Sequence, residues 1–411
     1  MKHIKSHILT VCILCSLFFV VEGNAQDLES LINVALTNNP EIQKFELRYK
    51  IASEKINEVN TIPNTEFGVG YFISTPETRT GAQRFKVSAK QMMPWFNTIS
   101  ARENYVKSLA KAKYEDIVIA KRKLISTVSQ SYYNLYANNA KQKVLIDNIE
   151  LLKTYETMAL TSVEVGKASV VDVLRLQMRQ NELQQLLEVL MQQFIAEQTA
   201  FNKLLNRERD IKVNVIKELR IPLKSFEDNT GNLELHPELL KFDKLYYSVE
   251  QSELLNQKES SPMIGFGLDY INVEKRPNLD FSDNGKDIVM PMVSISIPIF
   301  NNKYKSKTVQ NRLQQQEITA QKQERLNKLT TRLDKAFNDR ISSRISYQTQ
   351  SKNLIQAKNA QDILTKSYET GTINFNDVLD IQELQLKFQL NQVESIRRYY
   401  IQSTIINYLI Q

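Results

Sequence analysis

"VEVGKASVVDVLRLQ" (163–177) and "YETGTINFNDVLDIQ" (368–382) are two versions of one signature. Six of their fifteen aligned positions are identical: Glu164/Glu369, Gly166/Gly371, Asp172/Asp377, Val173/Val378, Leu174/Leu379 and Gln177/Gln382. Two further echoes keep the same order along the chain. "PWFN" (94–97) matches "PIFN" (298–301), and "NPE" (39–41) matches "HPE" (236–238). A repeated order of motifs is an internal duplication, and it has to be recognised before a fold is assigned. The first repeat covers 26–225 and the second 226–411.

Around each signature, glycine and proline disappear. Residues 97–165, 167–221, 301–370 and 372–411 contain neither. These runs are rich in Leu, Gln, Lys, Glu and Ala, which lose little rotamer freedom in a helix. They predict long helices over 98–165, 167–207, 302–370 and 372–411. At about 1.5 Å per residue the longest would reach on the order of 100 Å. Helices of ordinary compact domains run roughly 8–20 residues, so these point to coiled-coil packing or a helical cylinder. Apolar spacing in "LLKTYETMALTSVEV" (151–165) and "LQLKFQLNQVESI" (384–396) fits a stripe facing neighbouring helices.

The remaining glycines and prolines punctuate four segments of a different kind, at 64–73, 83–93, 262–272 and 287–299. Phe67, Val69, Tyr71 and Ile73 alternate with Gly68, Gly70 and Phe72; Val293, Ile295, Ile297 and Ile299 alternate with Met292, Ser294 and Ser296. Period two with one apolar and one small or polar face is a strand pattern. About ten residues is the length of a tilted membrane strand. The linkers 74–83 and 272–286 are polar and would close each pair as a hairpin. A small soluble sandwich is the other reading of four such strands.

The N-terminus speaks to compartment. Lys2 and Lys5 precede a 14-residue apolar run, Ile8–Val21, and Gly23 and Ala25 are small. This reads as a secretory signal peptide, 1–25, cleaved after Ala25. Both cysteines, Cys12 and Cys15, lie within it, as do His3 and His7. The mature chain keeps no thiol and one histidine, His236, beside Pro237 and read as a turn residue. Thiolate chemistry is absent, histidine-based catalysis and zinc sites lose most of their plausible ligands, and no phosphate-binding motif is present. The expectation is no enzyme, no catalytic residue, no cofactor and no metal site. The net charge of +7 is a weak sign for nucleic acid without a supporting motif.

A spanning sheet must close, because lipid offers no partner to unpaired backbone groups. Four strands cannot enclose a lumen, and about eight is the practical minimum. Several copies must therefore pool their strands.

On the duplication, the two strand pairs, the "PWF"/"PIF" junctions and the paired "G…DVL..Q" turns, the chain resembles the TolC-like family of outer-membrane efflux proteins. The resemblance spans essentially all of 27–411. It implies a mainly α protomer, duplicated as helix, strand, strand, long helix, turn, long helix. It implies a homotrimer whose twelve strands form a β-barrel in outer-membrane lipid, continued by an α-helical barrel through the periplasm of a Gram-negative bacterium. It further implies docking onto a periplasmic adaptor and an inner-membrane efflux pump, so that the chain is a passive exit duct. A type I protein-secretion duct and a structural coiled-coil envelope protein are the alternatives. "QMMPWF" (91–96) is similar to the heavy-metal and cation branch.

The resemblance also assigns residues. The turns Val165, Gly166, Lys167 and Thr370, Gly371, Thr372 correspond to the adaptor-contact tip. Asp377 and Asp380 correspond to the carboxylates of the pore gate, with Tyr368 as its tyrosine and Asp172 as the first-repeat equivalent of Asp377. Asp172 reads equally as a helix cap. Where the family often carries a gate arginine this chain has Ile373, and Arg175 is the candidate replacement. The methionines in or beside the strands (92, 93, 263, 290 and 292) read as lipid-facing or gap-filling, with a soft-metal path as the sharper alternative. Trp95 and Phe96 read as an interfacial anchor, and Tyr132, Tyr133 and Tyr136 as interhelix packing.

Overall fold

The computed structural model describes residues 27–167, 169–222, 233–370, 372–373 and 375–410. The expected signal peptide, Gly371 and part of the inter-repeat linker lie outside the described residues. In chain order the elements are α1 (Leu28–Asn38), α2 (Pro40–Val59), β1 (Glu66–Tyr71), β2 (Glu77–Thr78), β3 (Gly81–Met93), α3 (Thr98–Glu164), α4 (Val170–Leu204), α5 (Pro237–Glu259), β4 (Met263–Glu274), β5 (Ile288–Ser296), α6 (Lys303–Glu369) and α7 (Phe375–Ile410). The long helices α3 and α6 have 67 residues each. No described helix is apolar enough along its length to cross a membrane.

The chain divides into two compact units, and neither is a sequence repeat. One gathers the described residues of Met1–Pro40, Arg122–Gly231 and Arg332–Gln411; the other gathers Glu41–Lys121 and Asn232–Thr331.

The second unit holds the sheet, antiparallel throughout, in the order β1-β3-β4-β5 with β2 also on β3. β1 pairs with β3 from Glu66↔Lys90 to Tyr71↔Phe85, and β4 with β5 from Met263↔Ser296 to Ile271↔Ile288. β3 and β4 then join one hairpin to the other, from Ala82↔Glu274 to Met93↔Ile264. Paired residues share a face, so Val69, Val87, Tyr270 and Val289 form one row. The adjacent row on the opposite face is Gly68, Ser88, Asp269 and Met290. Lys86 forms an ion pair with the buried Asp269 on that side. β5 ends at Ser296 rather than 299, since Pro298 lacks the N–H that a ladder needs. In the same unit, His236 caps α5: its Nδ1 accepts from the Glu238 N–H at 3.3 Å. His236, the one histidine among the described residues, is a buried turn residue.

The first unit has a helical core. Leu145, Leu152, Leu176, Leu183, Phe375, Val378 and Leu386 are buried together there, drawn from α3, α4 and α7. After α4 the chain leaves helix, and two tyrosines of α3 hold it. The hydroxyls of Tyr132 and Tyr136 accept from the N–H groups of Ile216 and Leu219, each at 3.0 Å. Two of the three tyrosines read as interhelix packing thus satisfy backbone donors of a loop, which a packing argument alone does not foresee. Tyr133 does pack between helices, stacked on Tyr400 at 5.0 Å between ring centroids.

Candidate functional site: the paired interhelical turns

The α3–α4 turn is a Schellman motif. The Lys167 N–H donates to the Ser162 carbonyl at 2.8 Å, and the Gly166 N–H to Val163 at 3.0 Å. Gly166 sits at φ 73°, and a Cβ there would meet nothing within 4 Å. Glycine is needed for its backbone conformation, not for room. Val165 is 62 % exposed at the crest.

The α6–α7 turn repeats the long bond at the same offset: the Thr372 N–H donates to the Ser367 carbonyl at 2.9 Å. Both neighbouring hydroxyls reinforce it, Thr370 Oγ1 donating to Ser367 O at 3.0 Å and Thr372 Oγ1 at 2.8 Å. The second turn therefore ties up its side-chain polar groups, whereas the first offers an exposed valine.

Beyond the first turn, Ser169 and Asp172 form a capping box on α4. Ser169 Oγ accepts from the Val171 N–H at 3.1 Å, and the Asp172 carboxylate from the Ser169 N–H at 3.3 Å. The capping reading of Asp172 is what this geometry displays. Asp377 and Asp380 are exposed on the opening turns of α7. They are three residues apart on one helical face, where the positive end of the helix favours carboxylates.

Arg175 reaches across to the second repeat. Its guanidinium donates to Asn376 Oδ1 and lies 4.0 Å from the Asp172 carboxylate. One turn further along, Arg179 lies 3.7 Å from Glu383. Ile373 is half-buried on the helical core, which accounts for an apolar residue there.

Tyr368 is buried, with its ring edge-on to Phe375 at 4.9 Å; Phe375 in turn meets Tyr155 of α3 at 5.9 Å. The Tyr368 hydroxyl has no hydrogen-bond partner among the described residues. In this conformation the tyrosine is part of a packed aromatic trio. Sequence reasoning missed Phe375, Tyr155 and Asn376. Only Phe375 had a signal, as the first apolar residue after the second turn.

A buried polar seam runs along α3 and α7. Gln382 Nε2 donates to Asn148 Oδ1 at 3.0 Å, and Asn148 Nδ2 to Gln389 Oε1 at 2.8 Å. Its repeat counterpart Gln177 instead donates to Glu156 at 2.8 Å, and with Gln180 holds that carboxyl below its ordinary range. Further on, Glu394 accepts from Lys141 at 2.9 Å and from Arg397 at 2.6 Å. Burial alone would raise its pKa, but these hydrogen bonds and charges prevail and bring it to about 2.

Among the described residues, no group of three or more His, Cys, Asp or Glu side chains is placed to hold a metal ion. The sequence matches no protein-family model and no curated protein. Its structure does match solved structures along nearly its whole length. It is similar to the outer membrane protein VceC of Vibrio cholerae, at TM-score 0.73 and 16 % identity, covering 93 % of this chain and 95 % of that one. It is similar to CusC, described for transmembrane channel formation, at TM-score 0.77 and 13 % identity, with 94 % and 92 % covered. The open-state MtrE outer membrane channel of Neisseria gonorrhoeae matches at TM-score 0.73 and 15 % identity, with 93 % and 88 % covered. The chain has the TolC-like fold of these outer-membrane channels.

Proposed function

We propose that the chain is the outer-membrane exit duct of a tripartite efflux system, acting as a homotrimer. One observation carries the reading: the sheet is apolar on an exposed face and open at both edges. Phe67, Val69 and Tyr71 on β1, and Val289, Val293 and Ile295 on β5, are all more than 60 % exposed. The outer edges of β1 and β5 have no strand partner among the described residues. Water tolerates neither a long bare edge nor a contiguous apolar face, and lipid tolerates no edge at all. Both demands are met when copies of the chain join β5 of one to β1 of the next. Three copies give twelve strands.

Helical faces support the same assembly. Val171, Leu174 and Met178 on α4, and Ile341, Ile345 and Ile363 on α6, are exposed apolar residues at near-helical spacing. In the trimer these stripes line the seams between neighbouring copies. The helices then form a periplasmic tunnel. Its tip, at the two turns, meets a periplasmic adaptor, and substrates arrive from an inner-membrane pump. Six carboxylates from Asp377 and Asp380 ring the axis and favour cations over anions.

The test is reconstitution. The full-length protein from the outer-membrane fraction should migrate as a heat-modifiable trimer and conduct ions in planar bilayers. A monomer that stays in aqueous solution and carries no current overturns the proposal.

A further inference from the structure

The two strand-to-helix junctions are repeats of one another, and they differ in charge. "PWFN" (94–97) leads into α3 and "PIFN" (298–301) into α6. With the asparagines aligned, Ile99, Ala101 and Glu103 of the first junction correspond to Lys303, Lys305 and Lys307 of the second. The helix itself therefore does not call for lysine at these positions, and the positive end of its dipole disfavours it. The first basic residue of α3, Arg102, is paired with Glu259 at 3.0 Å. Further along α6, Lys322, Arg325 and Lys328 are matched to Asp243, Glu238 and Glu324. Lys303, Lys305 and Lys307 form no ion pair among the described residues, and no Asp or Glu occurs from 288 to 316.

Just before the lysines lies an apolar ledge. Phe300 is fully exposed, and Ile297 and Ile299 are each more than half exposed. In sequence the two isoleucines carry on the alternation of Val289, Val293 and Ile295, the exposed apolar residues of β5. The opening of α6 is already capped. The Lys303 N–H donates to Asn301 Oδ1 at 2.8 Å, and the Ser306 N–H to the Asn302 carbonyl at 3.0 Å. What remains unmatched is the three ammonium groups, not the backbone. From 303 to 307 the helix rises about 6 Å. The headgroup layer on each side of a bilayer's hydrocarbon core is roughly 5–7 Å deep.

We propose that Ile297, Ile299 and Phe300 enter the acyl region of the periplasmic leaflet while Lys303, Lys305 and Lys307 bind the phosphates of anionic phospholipids. Basic residues immediately beside an apolar insert are how a protein surface selects a negatively charged leaflet. The aliphatic stems of the lysines lie along apolar surface while their heads reach the phosphates. Lys303 and Lys307, four apart, share one side of α6, and Lys305 points away from them. Headgroups therefore gather around the helix, and the surface reads the charge of the leaflet rather than one headgroup's shape. An acidic soluble partner satisfies the lysines but leaves Phe300 in water; anionic lipid covers both. The patch is complete within one chain. Its place at the periplasmic rim of a barrel rests on the exit-duct reading.

The test places the full-length protein in nanodiscs of phosphatidylcholine, with or without phosphatidylglycerol, and follows lysine acetylation by mass spectrometry. Phosphatidylglycerol should slow acetylation of Lys303 and Lys305 several-fold, and high salt should reverse the protection. Lys352 and Lys358, exposed on the same helix, should react alike in both lipids. In detergent, K303Q/K305Q/K307Q should bind phosphatidylglycerol about a hundredfold more weakly than the wild type, at about fivefold per lysine near an anionic surface. K352Q/K358Q/K366Q should bind it as the wild type does. Equal acetylation in the two lipids, an unchanged affinity in the first variant or an equal loss in the second each overturns the patch. Protection that inorganic phosphate alone reproduces overturns the assignment to lipid. The wild-type footprint decides the matter even where the triple variant assembles poorly. Bilayer conductance of the same preparation separates the two readings. Protection without conductance removes the duct and keeps the patch; conductance without protection removes the patch alone.

Discussion

The guanidinium of Arg175, near the start of α4, donates to the side-chain carbonyl of Asn376 at the start of α7, 201 residues later in the chain. The first turns of two helices from different repeats are thereby tied together. The arginine also lies 4.0 Å from the Asp172 carboxylate that caps α4. If the tip gates the pore, Arg175→Ala should loosen it. The expected result is a higher single-channel conductance in planar bilayers with an unchanged trimer, while Arg175→Lys, which cannot reproduce the fork geometry, falls between. Conductance equal to wild type would remove Arg175 from the gate.

Gly166 needs its left-handed backbone and no more. Gly166→Ala should destabilise the turn by about 1 kcal/mol or more, because the native φ is strained for any residue with a Cβ. Gly166→Asn should cost less, since asparagine tolerates that region better than other side chains. Thermal melting of the helical signal reads both, and equal melting of alanine and wild type contradicts the argument.

Tyr368 and Phe375 separate packing from polar function. Phe375 is 2 % exposed between two tyrosine rings, so Phe375→Ala should cost about 3–5 kcal/mol. Tyr368→Phe removes a buried hydroxyl that bonds to nothing among the described residues, and should be neutral or mildly stabilising. A large change in channel opening in Tyr368→Phe would show that the hydroxyl finds a partner in another state or another copy.

Glu394 predicts an acid limit. Its folded pKa, about 2, lies below the ordinary 4.5, so the stabilisation it supplies is complete above the unfolded value. It is lost as pH falls from about 4.5 toward 2. The melting difference between wild type and Glu394→Gln should be constant above about pH 5 and shrink through that window. A difference that grows on acidification would contradict the assignment.

The apolar row of the sheet predicts its own sensitivity. Val87→Arg, at a central strand, should cost about 2–4 kcal/mol if that row meets lipid at mid-depth. Outer-membrane trimer yield measures it, and Ser88→Arg on the opposite face should be tolerated far better.

Much of this was legible because the strongest signals were local. Glycine and proline bound the 67-residue helices, and alternation marks both faces of each strand without reference to anything distant. The Schellman glycine and the Ser169–Asp172 cap are likewise local patterns. What stayed hidden depends on pairs far apart in sequence. No periodicity announces that β3 pairs with β4, that Arg175 finds Asn376, or that Tyr155 meets Phe375. Met92 and Met292 lie between these cases. The alternation already placed Met292 with the serines, but only the register sets Met92 opposite Gly265 and Met292 opposite Gly267 on one face.

The interleaving of the two compact units has a consequence for biogenesis. The side-chain oxygen of Asn148 waits for the Gln382 amide, 234 positions downstream, and β3 waits for β4 before its second edge is covered. A ribosome that has finished the first repeat has produced half of two cores and the whole of neither. The duplication is thus a boundary that the compact units ignore: a chain cut at the end of the first repeat holds segments of both units and completes neither.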